Sequence, residues 1–267
     1  MSVTSPREQA TVLEREWPSF DGNPQEDTLL KRRQNTLRDL PSFAKQVAMY
    51  EQLVRQCPSS DPKILEVAAG TGFHCMELAR RGIDVTALEI DPNLTSIMDG
   101  LAKHLDLKLT SVVGDACAIP LPDGTFDMVF SKNFFEHVYD VDLAIREQAR
   151  VLKPGGLLVI QDGNFLNPRL LVDLVFLYPL RTKFRHGGPV WLFTKGKVRK
   201  NLYGFLPLGR DEDVKTQFWW GRKISRFPGL TVREAATTAR YTHPSLPRWI
   251  TPFVGGCLLV AEKNRPS

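Results

Sequence analysis

An alternation of strand-like and helical segments between residues 63 and 162 limits the fold of this chain more than any other feature. Short apolar runs, typical of buried strands, are separated by segments with apolar residues at helical spacing. Because parallel strands need crossover connections, this alternation predicts a parallel sheet with helices on both faces. The predicted strands are 63–68, 83–89, 108–113, 126–131 and 157–162, and the predicted helices are 73–81, 92–104 and 139–152.

The segments on either side of this alternation predict how the fold begins and ends. Residues 26–56 carry apolar positions at helical spacing with Pro41 among them, so two helices are predicted before the first strand. Two closing strands are predicted at 231–241 and 256–264, with a proline-rich loop and no helix between them. Two consecutive strands without a crossover helix predict an antiparallel edge to the sheet.

The region between the alternation and the closing strands has a different character. Residues 163–210 contain many glycine, proline and aromatic residues without a clear period, which indicates an insert after the fifth strand. A helical pattern resumes at 211–227, with Asp211 as a suitable N-cap.

Composition argues against a membrane span, a disulfide framework and a metal centre. The longest apolar stretch, 170–180, is too short to span a bilayer. The four cysteines lie far apart without a CxxC pair, and the five histidines have no ligand spacing, so free thiols and no metal are expected. The polar first 27 residues lack a signal pattern. These features predict a cytoplasmic protein.

Charge is distributed unevenly along the chain. Residues 1–168 hold 17 basic and 24 acidic residues, whereas residues 169–267 hold 18 basic and 6 acidic ones. The stretch 181–210 alone has eight basic residues and no acid. Such a basic region can face an anionic substrate, an acidic carrier, nucleic acid or a membrane surface, or it can be a solvated face.

The turn after the first strand, in ILEVAAGTGFHC at 64–75, is where an α/β sheet of this kind binds a ligand. A dinucleotide fingerprint needs a third glycine, but Cys75 stands in that place. No phosphate-binding GxxxxGK[ST] loop is present either. Glu66 lies inside the strand, where a carboxylate would repel a pyrophosphate but could receive an ammonium group. A ligand without phosphate is therefore favoured.

Two further acids complete the pattern of this predicted site. Glu89 ends the second strand, where an acid can accept hydrogen bonds from both ribose hydroxyls. Asp115 follows the third strand and could accept a hydrogen bond from an adenine amino group. A ligand with an adenine, a ribose, positive charge and no phosphate suits these acids. S-adenosyl-L-methionine has those features.

Four stretches resemble the class I S-adenosylmethionine-dependent methyltransferases of the broad type 11 kind. They are EVAAGTG (66–72), ALEID (87–91), GDACAIPLPDGTFDMVFSKNFFEHV (114–138) and VLKPGGLLVIQD (151–162), in the family's order and spacing. The resemblance implies an α/β, Rossmann-like seven-stranded sheet of order 3-2-1-4-5-7-6 with the last strand antiparallel. It divides the chain into an N-terminal helical cap (1–58), a cofactor-binding core (59–162), a substrate-side insert (163–210) and the C-terminal part of the core (211–267).

The resemblance also assigns expected roles. It places Glu66 near the methionine end of the cofactor, Glu89 on the ribose and Asp115 at the adenine. Ala68 departs from the family, which more often has glycine there. The full set of predicted cofactor contacts is Glu66, Ala68, Gly70, Thr71, Gly72, Glu89, Ile90, Asp115, Ala116, Ser131 and Asn133.

Each of the three acids also has a purely structural interpretation. Glu66 could face a helix, and Glu89 could be an edge carboxylate in a surface turn. Asp115 could cap the turn that follows it.

Methyl transfer from a sulfonium needs a positioned acceptor and, for a hydroxyl or protonated amine, a base. The candidates for this role are His137, Asp162 and His186. His137 could instead pack at a helix start, and Asp162 could simply end its strand. His186 stands beside Gly187–Gly188, a pair that could hinge a lid over the acceptor.

The predicted function is methyl transfer to a small-molecule acceptor or to a carrier- or lipid-linked one. The alternatives are cyclisation or aminocarboxypropyl transfer with the same cofactor, or a non-catalytic subunit of this fold. The basic region is compatible with an anionic or carrier-linked acceptor and with peripheral membrane contact through 170–180 and the cations after it. The chain shows no RNA-binding module, so nucleic acid is not favoured. The acceptor atom and the oligomeric state stay open.

Overall fold

The computed structural model describes residues 11–164, 166–168 and 215–265. In these ranges, seven strands form one sheet in the order β3-β2-β1-β4-β5-β7-β6, which confirms the predicted topology. The strands are β1 (Lys63–Val67), β2 (Asp84–Glu89), β3 (Leu109–Val113), β4 (Phe126–Lys132), β5 (Leu152–Asp162), β6 (Leu230–Thr237) and β7 (Cys257–Lys263). The helices are α1 (Glu26–Arg38), α2 (Leu40–Val54), α3 (Phe73–Arg80), α4 (Pro92–His104), α5 (Val141–Val151), α6 (Gln217–Ser225) and α7 (Ala239–Thr242), with a 3₁₀ turn at Thr251–Phe253.

The central strands are parallel and buried. β1 pairs in parallel with β2 and with β4, and β2 pairs in parallel with β3. Within β1 and β4, all residues are buried except the first residue of β1 and the last residue of β4, because helices cover both faces of a parallel sheet. This pairing brings the carboxyl ends of β1, β2, β3 and β4 to one edge of the sheet.

Contacts at the two ends of β7 show that it runs antiparallel to its neighbours. At its start, the backbone N–H of Thr238 donates to the carbonyl of Gly256 (2.9 Å), next to the end of β6. At its end, Lys263 Nζ donates to the carbonyl of Leu152, the first residue of β5 (2.6 Å). The antiparallel last strand expected from the sequence is confirmed.

Two strand boundaries differ from the sequence prediction by more than one residue. β5 begins at Leu152 instead of 157, so Pro154–Gly156 lie within the strand and do not form a turn before it. Gly155 has φ +81°, and a Cβ on Gly156 would lie 3.0 Å from the carbonyl oxygen of Asp127, so both positions favour glycine. β6 ends at Thr237 instead of 241, because the chain turns into α7.

The N-terminal region forms the two predicted helices, and Pro41 stands in the first turn of α2, where a missing N–H costs little. The predicted helix at 211–227 is α6, and its N-cap is Thr216, whose hydroxyl accepts a hydrogen bond from Trp219 N (3.1 Å). Asp211, the predicted N-cap, lies outside the described residues, as do most of the predicted insert and His186.

The chain divides into two compact units. The first comprises Met1–Ser131, Asp142–Leu158 and Lys263–Ser267. The second comprises Lys132–Val141 and Val159–Glu262. No helix in the described part of the chain is long and apolar enough to cross a membrane.

Candidate functional site

The loop between β1 and α3, in the first unit, has an unusual backbone. Ala68, Gly70 and Gly72 all have positive φ, at 58°, 59° and 67°. The loop is closed by a hydrogen bond from Gly72 N to Ala69 O (2.9 Å) and is joined to β2 by one from Ala69 N to Leu88 O (3.0 Å). A Cβ on Gly72 would overlap the sulfur of Met98 and lie 2.8 Å from its Cγ. The sequence therefore needs glycine at this position for both its backbone conformation and its space.

Ala68 carries strain that the family's more usual glycine would avoid. A left-handed conformation costs an L-residue about 1–2 kcal/mol, whereas glycine loses about 0.5–1 kcal/mol through greater freedom in the unfolded chain. Ala68→Gly should therefore raise the free energy of unfolding by about 0.5–1 kcal/mol in denaturant titrations. A loss of stability would show that the Ala68 methyl makes packing contacts worth more than the strain.

Glu89, the predicted ribose acid, is buried and binds three backbone N–H groups. One carboxylate oxygen, Oε2, accepts from Gly70 N (2.7 Å). The other, Oε1, accepts from Ile90 N (2.9 Å) and Asp91 N (3.1 Å). A carboxylate offers about four acceptor positions, so about one remains for a ligand. Glu89 thus ties the glycine loop to the end of β2, and a ligand diol would have to share its oxygens with these donors.

Glu66, the predicted acid of the methionine end, is buried within β1 and contacts the first turn of α3. The thiol of Cys75 donates to Glu66 Oε2 (2.8 Å), and His74 Nδ1 lies 3.9 Å from Oε1. Burial, with the adjacent charge of Glu66 as a second cause, raises the pKa of the Cys75 thiol well above its usual value. The thiol therefore stays protonated as a donor. These contacts match the helix-facing interpretation of Glu66, and its role toward a cofactor stays a prediction.

Asp115 forms a local turn after β3. Its Oδ1 accepts from Cys117 N (2.8 Å), and its carbonyl accepts from Ala118 N (2.9 Å). This is the capping arrangement that the sequence left as an alternative, and it holds the buried Ala116 in place. The adenine role of Asp115 stays a prediction.

Two exposed apolar residues stand at the ends of neighbouring strands. Ile90 follows β2 and is 66% exposed, and Val113 ends β3 and is 49% exposed. The carbonyl of Glu89 accepts a hydrogen bond from Gly114 N (3.0 Å), which holds these two strand ends together. Apolar surface beside a polar turn suits one face of a heteroaromatic ring. Ile90 was predicted from the sequence, whereas Val113 was missed because it reads as an ordinary strand residue.

The buried hydroxyl of Ser131 indicates whether this edge of the sheet could hold a polar ligand. It pairs with Val67 across β4 and β1, immediately before the glycine loop. Its side chain is fully buried, and its Oγ has no hydrogen-bond partner among the residues that the structure describes. An unpartnered buried hydroxyl costs about 1–3 kcal/mol, so a ligand that bonded it would recover that cost. This hydroxyl, the bare loop and the acceptor capacity of Glu89 fit an adenosine carrying a polar side chain.

Asn133, the last of the predicted cofactor contacts, and the candidate bases Asp162 and His137 belong to the second unit. Asn133, with φ +49°, donates its backbone N–H to Gln161 O (2.8 Å). Asp162 is buried, and its Oδ1 accepts from Phe134 N (3.0 Å). Burial and the nearby charge of Glu136 raise the pKa of Asp162 to about 7.

His137 has a more open setting than Asp162. Its side chain is 57% exposed, and its Nε2 lies 3.6 Å from Glu136 Oε1. Its backbone N–H donates to the carbonyl of Phe134 (2.9 Å), so the residue is held in a turn after β4. Of the candidate bases in the described residues, Asp162 is buried and His137 is the more accessible.

The second unit also contains a cavity of about 490 Å³. Its wall combines apolar side chains with cations and hydroxyls, including Phe218, Leu246, Arg240, Arg248, His243 and Thr251. Arg240 is paired with Glu234 (3.0 Å), whereas Arg248 makes no ion pair within the described ranges. The sequence analysis found only an excess of basic residues in this region and did not predict the cavity. Its walls come from α6, β6 and the loop before β7, which are separate in sequence and share no motif.

Comparison with known proteins agrees with this geometry. Residues 65–160 match a family described as "Methyltransferase domain". The described residues have the class I methyltransferase fold, and the matched stretch is similar to that domain. Among curated relatives, norajmaline N-methyltransferase of Rauvolfia serpentina is 38% identical over 107 residues, which are 39% of this chain and 37% of that protein. The demethylmenaquinone methyltransferase of Thermus thermophilus is 34% identical over 131 residues, 48% of this chain and 60% of that protein.

Solved structures share the fold of the methyltransferase domain. A Methanococcus maripaludis protein assigned to the S-adenosyl-L-methionine-dependent methyltransferases superposes with a TM-score of 0.57 at 15% identity, covering 95% of this chain and 98% of its own. The [4+2]-cyclase SpnF superposes with a TM-score of 0.54 at 17% identity, covering 82% of each chain. At such identities the likeness shows the fold alone. The chain spans less than two thirds of the length of the curated relatives named above.

Family and fold together imply S-adenosyl-L-methionine as the cofactor of the methyltransferase domain. The first unit brings together the predicted contacts from Glu66 to Ser131, with Glu89 bonded to Gly70. When bound, this cofactor supplies an electrophilic methyl group on a sulfonium. The individual cofactor contacts stay predictions.

Proposed function

We propose that this chain transfers the methyl group of S-adenosyl-L-methionine to a small-molecule acceptor. The observation that carries the proposal is the bond between Glu89 and Gly70, because it sets an acidic acceptor beside a bare, left-handed glycine loop at the carboxyl edge of the sheet. Such an edge is where α/β proteins of this kind bind nucleoside ligands. Glu89 in this position suits ribose hydroxyls, and Glu66, buried within β1, would repel a pyrophosphate.

The acceptor that we propose is a small molecule with an apolar ring system. Relatives are named for methylation of an alkaloid nitrogen and of demethylmenaquinone. The cavity of the second unit, with Phe218 and Leu246 beside Arg248, suits an apolar body that carries an anionic or hydrogen-bonding group. A carrier-linked acceptor and peripheral membrane contact stay predictions from the basic charge of residues 169–267.

The chain's own groups can handle the proton that leaves an acceptor. Methyl transfer forms the acceptor–carbon bond as the carbon–sulfur bond breaks, so an N–H, O–H or C–H acceptor must lose a proton to remain neutral. A base works best when its pKa lies near the operating pH, and the pKa of Asp162 is raised to about 7. We assign Asp162 as the first candidate for this role and His137 as the second. His186 remains a prediction outside the described residues.

Product analysis tests the proposal. The protein is incubated with methyl-deuterated S-adenosyl-L-methionine and, separately, with a secondary-amine alkaloid and a demethylated quinol as probe acceptors. We expect S-adenosylhomocysteine and an acceptor of increased mass. Methylthioadenosine as the cofactor product would instead show aminocarboxypropyl transfer or cyclisation. Release of neither product, with the cofactor bound intact, would favour the non-catalytic alternative.

Glu89→Gln should weaken cofactor binding and also loosen the loop. The amide keeps the size of the side chain. Its NH₂ group, however, would face at least one of the backbone N–H groups that now donate to the carboxylate. Hydrogen bonds to a charged acceptor contribute about 1.5–3 kcal/mol, so the dissociation constant should rise by about tenfold or more. Calorimetry gives the affinity and thermal unfolding gives the stability. Unchanged affinity in a folded variant would remove Glu89 from the cofactor site.

A further inference from the structure

A guanidinium group lies over the glycine loop of the methyltransferase domain. If Gly70 carried a Cβ, that atom would lie 3.1 Å from NH1 of Arg32, which belongs to α1. Arg32 is exposed, and its guanidinium makes no ion pair or hydrogen bond within the part of the chain that the structure describes. An unpartnered cation therefore stands beside a bare stretch of backbone, in a region otherwise supplied with acids.

The placement of Arg32 follows from how α1 is held in the first unit. Leu29 on α1 is fully buried. Just before the helix, Gln25 Nε2 donates to Asp91 Oδ2 (2.8 Å), and Asp91 lies two residues after Glu89, the last residue of β2. Within α1, Arg33 Nε donates to the carbonyl of Leu13 (2.9 Å). These contacts fix the helix, so the base of the Arg32 side chain is fixed as well.

The methionine end of S-adenosyl-L-methionine carries an ammonium and a carboxylate. The acids Glu66, Glu89 and Asp115 can meet positive charge and hydroxyl donors, but each would repel a carboxylate. A carboxylate bound in such surroundings needs a cation, and a guanidinium matches its geometry with two parallel N–H donors.

We infer that Arg32 binds the α-carboxylate of the cofactor, and this inference rests on the proposed cofactor site. It assigns a binding role to a residue well outside the family-matched segment 65–160. It also gives the N-terminal helical region a task in cofactor recognition. The glycine at 70 then has a second reason to be there, because a Cβ would lie 3.1 Å from the guanidinium and would force it to shift.

The experiment compares S-adenosyl-L-methionine with decarboxylated S-adenosyl-L-methionine, which keeps the ammonium and lacks only the carboxylate. Calorimetric titrations are run on the parent, on Arg32→Met and on the matched control Lys31→Met, which removes an exposed charge from the same helix. A charge-assisted bond at an exposed site should make the dissociation constant of the intact cofactor rise about tenfold in Arg32→Met. The decarboxylated ligand should bind the parent and Arg32→Met equally, and Lys31→Met should match the parent with both ligands.

Arg32→Lys gives a further check, since it keeps the charge and should recover part of the affinity. Equal losses for both ligands in Arg32→Met would make Arg32 a structural residue and overturn the inference, as would unchanged affinity for the intact cofactor. If the parent binds neither ligand, the cofactor assignment itself fails. That outcome differs from a failure of Arg32 alone, in which the parent binds the intact cofactor normally.

Discussion

Gly72→Val should abolish binding of S-adenosyl-L-methionine. Gly72 has φ +67°, and a side chain there would meet Met98 and approach Met76 (3.5 Å to its Cε). Left-handed strain of about 1–2 kcal/mol and overpacking of about 1–3 kcal/mol would together move the loop out of its present path. Calorimetry at a temperature where circular dichroism shows the variant folded should detect no cofactor binding.

Gly124→Val is the matched control for this prediction. Gly124 also has positive φ (+58°), but a Cβ there would meet nothing within 4 Å. The two variants therefore share the backbone strain and differ in the clash and in their distance from the loop. Gly124→Val should lose stability and keep its affinity for the cofactor. Thermal stabilisation of Gly72→Val by the cofactor would contradict a close approach of ligand to this backbone.

Asp162 should make the stability of the protein fall as pH rises from about 4 to about 7. In the folded chain its carboxyl holds a proton up to about pH 7, because burial disfavours the charge and Glu136 adds repulsion. In the unfolded chain it loses the proton near pH 3.9. The stabilising contribution is thus complete below the unfolded pKa and is lost as pH rises through the folded one. A difference of about three pKa units corresponds to about 4 kcal/mol.

Asp162→Asn should remove this dependence, since the amide does not titrate in this range and its oxygen can still accept from Phe134 N. The measured quantity is the free energy of unfolding of the variant minus that of the parent, from urea titrations at pH 4, 6 and 8. We expect this difference to increase by about 4 kcal/mol across the series. Glu136→Gln should lower the pKa of Asp162 and so narrow the pH range over which the stability of the protein falls. If the free energy of unfolding changed with pH in the same way for the parent and for Asp162→Asn, Asp162 would be ionised in the folded protein over the whole range from pH 4 to 8.

The sheet could be predicted from the sequence because its central strands are buried on both faces and read as continuous apolar runs. The boundaries that went wrong depend on backbone detail. Pro154, Gly155 and Gly156 read as a turn, yet positive φ at Gly155 and close packing at Gly156 let the strand pass through them. The end of β6 was misplaced because residues 238–241 have no residue that marks a turn.

The candidate site was predictable where it depends on chain spacing and unpredictable where it depends on contacts distant in sequence. The position of Glu89 follows from the length of one strand–helix–strand unit. Its three N–H donors do not, because they depend on how two turns fold against each other. Arg32 has no motif, and only the docking of α1 brings it to the glycine loop. The unpartnered hydroxyl of Ser131 likewise becomes visible only when its neighbours are in place.

Two calorimetric titrations, one with S-adenosyl-L-methionine and one with NAD⁺, test whether the glycine loop holds an adenosine ligand that lacks a pyrophosphate. Both ligands contain an adenosine, but only one carries a pyrophosphate. The site described above predicts that S-adenosyl-L-methionine binds with one molecule per chain, that S-adenosylhomocysteine competes with it, and that NAD⁺ gives no binding heat. Binding of NAD⁺ without binding of S-adenosyl-L-methionine would contradict this assignment, because the glycine loop would then hold a pyrophosphate in spite of the carboxylate of Glu66.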